Sequence, residues 1–562
     1  MKTLPIGVLL AILSLNMSMA QTLDWVRGYG GFKSYNAGWT IATNKNGDVY
    51  TIGYFQDTVD FNPGSGIFNL ITDGSFDIYI QKLDVNGNFV WAKRFGGPGC
   101  DIGLSLVLDH LGNIYTTGFF ADTVDFDPGT GVSQLIGEVN GDVFIMKLDA
   151  NGDFLWVKGM GGSHADQGWC IDLDLSENIY IAGTFLDTVD FDPGIGVSTK
   201  ISSGSQDCFI QKLDNDGNFI WVKTMGGKAY DELKSIEVDD FGNVYSTGGF
   251  NDTADFDPGA GVYNLISIKD YDIFVQKLDS NGDFVWAKRF GGIGNDLVYS
   301  IALDGLNNVY TTGYFLDTVD FNPGAGIYNL SARSSDIYIN KLDSNGDFVW
   351  AKKMGGSGYD LGISVTTDSF DNVYSTGYFS DTADFDPGTA NHFLIAKKGS
   401  YIQKLDSAGN YIWAKGVDNS EGNAIIVEPS GNIYTMGEYW DTAVFDPGNG
   451  NNTLIGNGYN DIFIQRIIQN SLGFPTLQKL SSALYPNPNN GSFTLEINTF
   501  SDKYQNYQLE VYSVMGALVY SEQLKIAESI CKKMNLEYLS KGLYFIKLKS
   551  KKSVFNFRFV LN

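Results

Sequence analysis

Short hydrophobic runs with a two-residue period fill most of this chain, and they come in groups of four. Between Leu104 and Met160 the runs are LSLVLD (Leu104 to Asp109), NIYTTGFF (Asn113 to Phe120), DVFIMKLD (Asp142 to Asp149) and DFLWVKGM (Asp153 to Met160). Each is rich in β-branched and aromatic residues and has the length of a single strand. His110-Leu111-Gly112 joins the first pair and Ala150-Asn151-Gly152 the second, and turns this short make the joined strands antiparallel neighbours. A longer acidic connection, ADTVDFDPGTG, separates the two hairpins. The pattern predicts a four-stranded antiparallel unit with strands a, b, c and d in chain order.

The unit recurs. The motif D-T-[VA]-x-F-[DN]-P-G starts at Asp57, Asp122, Asp187, Asp252, Asp317, Asp381 and Asp441, at spacings of 65, 65, 65, 65, 64 and 60 residues. Four-stranded sheets repeated at such a period form either propeller blades or an open stack. The ends of the array decide between them. Trp marks strand d at Trp91, Trp156, Trp221, Trp286, Trp350 and Trp413, but the seventh unit runs through strand c, DIFIQRII (Asp461 to Ile468), and no Trp strand follows. The missing strand stands at the front, as LDWVRGYGG with Trp25. A ring gains from that split, because it locks first unit to last and leaves no open edge. The expected architecture is all-β: a seven-bladed β-propeller of four-stranded blades over residues 21–470, closed by the N-terminal strand. Units such as GNVYSTGGFNDTADFDPG, followed by DIFVQKLDSNGDFVWAKRFGG, resemble the bacterial β-propeller repeats called SBBP repeats from about Leu23 to Ile468. That resemblance implies a fold and a binding platform far more than a reaction.

Beyond Asn470 the repeat stops. Residues 471–482 read as a linker, and between Gln478 and Asn562 eleven Lys or Arg face six Asp or Glu, a reversal of the acidic balance upstream. Alternation predicts strands at Phe493 to Ile497, Tyr507 to Val514, Ala517 to Leu524 and Gly542 to Lys549, hence a small β-sandwich over residues 483–562. Three segments, LYPNPNNGSFTLEI, VYSVMGALVYSEQL and LSKGLYFIKLKSKKSVFNFRFVLN, resemble the C-terminal sorting domain of type IX secretion substrates. The residues that carry the likeness are Tyr485, Pro486, Asn487, Pro488, Gly491, Gly516, Gly542, Tyr544 and Lys547. The resemblance implies the type IX machinery as partner and a Gram-negative bacterium as source. It also implies that the cargo ends up released or attached at the outer-membrane surface. At the other end, Lys2, an apolar stretch from Leu4 to Leu15 and Ser18-Met19-Ala20 read as a signal peptide over residues 1–20.

Charge narrows the partners. A net charge of −27 argues against nucleic acid and against anionic lipid surfaces. No later stretch reaches the run of about 18 apolar residues that a membrane helix needs, and the chain is expected to act as a monomer. Cys100, Cys170, Cys208 and Cys531 show no metal-ligand spacing. Cys170 replaces a repeated Ser and Cys208 a repeated Ile or Val, so both read as small buried residues, with a disulfide between them the less favoured alternative.

Strand parity puts the b–c and d–a loops on one face. There the D-T-V-D-F-D-P-G acids join those of a repeated G-G-x-x-x-D motif, Asp101, Asp166, Asp231, Asp296 and Asp360. A cation-assisted rim would use Asp122, Asp125, Asp127, Asp187, Asp190, Asp192, Asp252, Asp255 and Asp257, with Ca²⁺ as the cation. The favoured reading is that these side chains shape the turns, which leaves no cofactor. The D-x-N-G turns lack the sixth-place Gly and twelfth-place Glu of an EF-hand. His110, His164 and His392 lie in separate repeats, and no nucleophile elbow, zincin or phosphate-loop motif occurs. Only GGSHADQGWC, Gly161 to Cys170, departs noticeably from the repeat. The expected function is a secreted or cell-surface, non-catalytic scaffold that binds a glycan or a protein. The alternative is a secreted polysaccharide hydrolase or lyase with its site at the mouth of the propeller channel.

Overall fold

A computed structural model describes residues 20–138, 140–446, 452–470, 481–485, 492–498, 505–513, 518–526, 529–549 and 554–561. Among them every regular element is a strand. The chain divides into two compact units, one of Gln21–Asn470 and one containing Ser471–Asn562. The expected signal peptide lies outside the described residues, apart from Ala20.

The larger unit is built of antiparallel sheets: among the described residues four have four strands, one has six and one has eight, with two-stranded hairpins beside them. In the second repeat strands a to d are Ile102–Leu108, Ile114–Phe120, Asp142–Leu148 and Phe154–Met160, and they lie side by side in that order. Strand a of each repeat packs beside strand a of the next, and strand a of the last (Ser420–Val427) beside that of the first (Ala37–Thr43). The strand Ala20–Tyr29 completes the sheet formed by the last a, b and c strands, pairing with Asp461–Asn470.

That front strand makes the contacts its counterparts make. The Trp25 ring meets the buried Tyr434 edge-on at 6.1 Å, as Trp91 meets Tyr50 at 6.2 Å and Trp350 meets Tyr310 at 5.9 Å. Its Nε1 donates to Val85 O in the c–d turn of the first repeat at 3.2 Å, as Trp350 donates to Ser407 O in the following repeat at 3.2 Å. The turn glycine beneath the indole, Gly87, has φ of 72° and no room for a side chain, since a Cβ would lie 2.8 Å from the Trp25 ring. Trp25, Trp286 and Trp350 thus each serve their own sheet and bond the turn of the next one.

The long b–c connection, expected as a loop, contains a hairpin of its own: Thr58–Asp60 pairs with Asn69–Ile71, and Thr123–Asp125 with Gln134–Ile136. The Gly-Gly at the end of strand d pairs with the hairpin of the following repeat, as in Gly226 with Asp255 and Gly227 with Ala254. Alternation hid these hairpins because each arm is only three residues long.

In the smaller unit two sheets share a core of Phe493, Leu495, Leu509, Val511, Met534 and Ile546. One sheet holds Ser481–Tyr485, Ser492–Asn498 and Ser529–Asn535. The other holds Leu518–Ile526, Gln505–Ser513, Gly542–Lys549 and Val554–Leu561. Three of these strands, at Ser481, Ser529 and Val554, were not among those expected from the sequence.

Candidate functional site

The repeated acids are turn-builders. The first Asp of the motif adopts a left-handed conformation in every repeat, with φ of 60° at Asp122, 66° at Asp187 and 60° at Asp252, a backbone state that Asp and Asn tolerate better than most residues. Oδ1 of the second Asp accepts two backbone N–H groups across the hairpin: Asp125 from Asp127 at 3.1 Å and Ser133 at 2.8 Å. Asp190 does the same with Asp192 and Ser198, and Asp255 with Asp257 and Tyr263. The third acid caps the Pro-Gly turn, Asp127 on Gly129, Asp192 on Gly194 and Asp257 on Gly259, each at 2.8 Å. Asn62 and Asn322 perform that last job equally well on Gly64 and Gly324. Among the described residues no group of three or more His, Cys, Asp or Glu is arranged to hold a metal ion.

The G-G-x-x-x-D acids do not reach the rim where the sequence placed them. Asp101, Asp166, Asp231, Asp296 and Asp360 are at most 1% exposed. Each ties the d–a loop to the end of strand b: Asp231 accepts from Gly227 at 2.6 Å and from Asn251 at 3.3 Å. Burial raises their carboxyls despite these bonds, to about 6 for Asp101 and about 7 for Asp166, Asp231 and Asp296. The reason for their burial is that both carboxylate oxygens are needed to satisfy loop N–H groups between packed sheets.

Cys170 and Cys208 are both buried and free. His164 lies 3.8 Å from Asp187 on the exposed loop face. Of the sorting residues, Tyr485 ends a strand, while Gly542 opens one that carries Tyr544 and Lys547. The Tyr544 hydroxyl donates to Ser540 O at 2.8 Å. Pro486, Asn487, Pro488, Gly491 and Gly516 lie outside the described residues.

What the repeat does not fix gathers where the first strands of all the sheets meet. Strand a carries a β-bulge at one equivalent point in each repeat, between Gly38 and Thr40, Gly103 and Ser105, Gly168 and Cys170, Leu233 and Ser235, and so on. The extra residue has no cross-strand partner, which frees its side chain to turn away from the sheet. These residues border a shared cavity of about 320 Å³. Trp39, Trp169 and Tyr299 are its aromatic members; Lys234 and Asn423 are polar; Leu104 and Ile363 are aliphatic. Lys234 Nζ sits 3.9 Å above the Trp169 ring and 3.0 Å from Glu232 Oε2. Trp39 Nε1 is buried without a hydrogen-bond partner.

One repeat adds paired carboxylates. Glu421 and Glu438 face each other directly across strands a and b of the seventh sheet, where the first repeat has Ala37 and Tyr54 and the fifth Leu297 and Tyr314. Burial, and then the charge of Glu421, raise Glu438 to about 7, and burial raises Glu421 as well. Asn423 joins the pair to the cavity, since its Nδ2 donates to Gly38 O at 3.0 Å and to Glu438 Oε1 at 3.4 Å. The sequence carried a signal for all of this: aligned on the 65-residue period, a variable position is flanked by a mostly Gly position and a mostly Ser position. At the level of whole repeats, rare polar residues stand out only in the segment that contains Trp169.

Residues 483–562 match the family described as a secretion system C-terminal sorting domain, and residues 285–314 match the β-propeller repeat family. The sorting domain marks the chain for export by the type IX secretion system to the cell surface or the extracellular space. An uncharacterized WD repeat-containing protein of Acanthamoeba polyphaga mimivirus is 24% identical over 489 residues, covering 70% of this chain and 34% of that protein. The regulatory protein FlaEY of Caulobacter vibrioides is 23% identical over 200 residues, covering 35% of this chain and 20% of its own length. The chain therefore spans about a third of the first relative and a fifth of the second. A solved quinohemoprotein alcohol dehydrogenase from Pseudomonas putida aligns at 10% identity and a TM-score of 0.32, over 82% of this chain and 79% of that one.

Proposed function

We propose that residues 21–470 form a closed seven-bladed propeller that serves as a non-catalytic binding scaffold for a glycan or a surface protein. A signal peptide over residues 1–20 and the sorting domain over residues 483–562, behind a linker, deliver it to the cell exterior as a monomer. The observation that carries the binding role is the division of labour among side chains. Repeated acids are engaged by backbone N–H groups, whereas variable, half-buried side chains collect around one cavity at the meeting point of strands a. A rigid frame around an irregular pocket suits recognition. Two assays test the reading. Ending the chain at Thr476 is expected to leave a folded propeller in the periplasm, read by protease protection on intact cells. Equal surface exposure of truncated and full-length chains would refute the export role of the tail. Arrays of glycans and of outer-membrane proteins probed with the full chain test the scaffold, and silence on both would refute it.

A second reading, polysaccharide hydrolysis or lysis, is favoured by the Glu421–Glu438 pair, because an acid raised to about 7 beside a second carboxylate is what general acid–base chemistry requires. Release of reducing ends or unsaturated sugars that disappears in Glu438→Gln would establish it.

A further inference from the structure

We propose that the cavity between the strands a binds the end of an uncharged glycan. Trp39, Trp169 and Tyr299 act as stacking faces, and Asn423 with the Lys234–Glu232 pair supplies polar contacts. The proposal rests on the glycan form of the binding role above and names its site and its chemistry.

The fold does not ask for aromatic residues here. Repeats with Leu104, Ile363 or Asn423 at the bulge build the same strand with the same shift in register. The flanking positions are constrained instead. A Cβ on Gly38 would lie 2.6 Å from Met436 Sδ, and one on Gly168 2.3 Å from Thr117 Oγ1. On the other flank the Ser105 and Ser300 hydroxyls accept the N–H groups of Ile171 and Val365 in the next sheet. Packing therefore restricts the neighbours, mostly to Gly before the bulge and to small residues after it, while the bulged residue varies from Trp to Leu, Lys and Asn. Two Trp and one Tyr, left half-buried around an open cavity, are free to contact a ligand.

The charges select the ligand class. Lys234 is the cation among the bulge residues, and it is already held by Glu232 and by the face of Trp169. Glu421 and Glu438 stand beside Asn423 with raised carboxyls. A sulfate, phosphate or uronate would approach those acids, and Lys234, the cation among the bulge residues, is already engaged. A neutral pyranose instead offers an apolar C–H face for stacking and hydroxyls that both donate and accept. A cavity of about 320 Å³ is at the small end for ligand sites, the size for about one or two sugar rings.

The test uses the full chain, titrated calorimetrically with cello-, xylo-, manno- and chito-oligosaccharides, with polygalacturonate and tetramethylammonium as anionic and cationic comparisons. At least one neutral series is expected to bind, with Trp fluorescence changing on saturation. Trp39→Ala and Trp169→Ala are each expected to weaken binding by about tenfold, and Trp169→Phe by much less. Melting curves for each variant separate lost binding from lost fold, and Tyr299→Leu replaces any variant that does not fold. Undiminished binding in folded Trp39→Ala, Trp169→Ala and Tyr299→Leu would overturn the site while leaving glycan binding intact. Binding of tetramethylammonium or polygalacturonate in preference to every neutral sugar would overturn the ligand class. No binding of any neutral sugar by the wild-type chain would remove the glycan reading itself.

Discussion

Replacing Trp25 with Ala asks whether a strand at the front of the chain carries the same load as its six counterparts. The indole is 6% exposed, edge-on to Tyr434 at 6.1 Å and bonded to Val85 O at 3.2 Å. Truncating a buried Trp to Ala costs about 3–5 kcal/mol. Unfolding entropy near 60 °C is about 2.1 cal/mol/K per residue, so the roughly 450 residues between Gln21 and Asn470 give about 1 kcal/mol/K. A cooperative loss then lowers the melting temperature by about 3–5 °C. Trp350→Ala is the matched control, since that ring is 8% exposed, meets Tyr310 at 5.9 Å and donates to Ser407 O at 3.2 Å. Differential scanning calorimetry should give the two variants the same shift to within about 1 °C. A shift below about 1 °C for Trp25→Ala beside a full shift for Trp350→Ala would refute the equivalence. A new, separate low-temperature transition in Trp25→Ala would refute cooperative unfolding of the sheets, and with it the conversion from free energy to temperature.

Asp231 gives a pH signature. Its folded carboxyl is raised to about 7 by burial, against about 3.9 in an unfolded chain. Its contribution is therefore full below about pH 4 and lost as pH rises through about 7, because over that range only the folded chain keeps the proton. The melting deficit of Asp231→Asn relative to wild type should shrink from pH 4 to pH 7; a constant or growing deficit would contradict it. In the b–c hairpin, Asp125→Ala leaves the N–H groups of Asp127 and Ser133 without their acceptor and should cost about 1–3 kcal/mol. Asp125→Asn keeps Oδ1 and should cost clearly less, as measured by urea melts. Ca²⁺ and Mg²⁺ at matched ionic strength should shift the melting temperature equally, through screening alone. A Ca²⁺-selective rise of several degrees would turn these acids into a cation site.

The sequence by itself determined the repeat, the four-strand unit and the displaced strand d, because all three follow from counting. A Trp every 65 residues, with one copy at Trp25 and none after Asp461, is visible without coordinates. It also marked the sorting domain, through motifs that stay in order within a short stretch. Only the tertiary structure decided where the carboxylates point. Asp101 and Asp231 look like rim ligands in one dimension, yet they are buried because their two oxygens are the acceptors for backbone N–H groups from loops twenty residues apart in the chain. The cavity was hidden for a related reason. Trp39, Trp169, Lys234 and Tyr299 sit in different repeats, and what unites them is a bulge that interrupts the two-residue alternation. Periodicity reports which face a side chain occupies in a regular strand. It is silent at the one position where the strand departs from regularity, and that is the position where this fold places its variable residues.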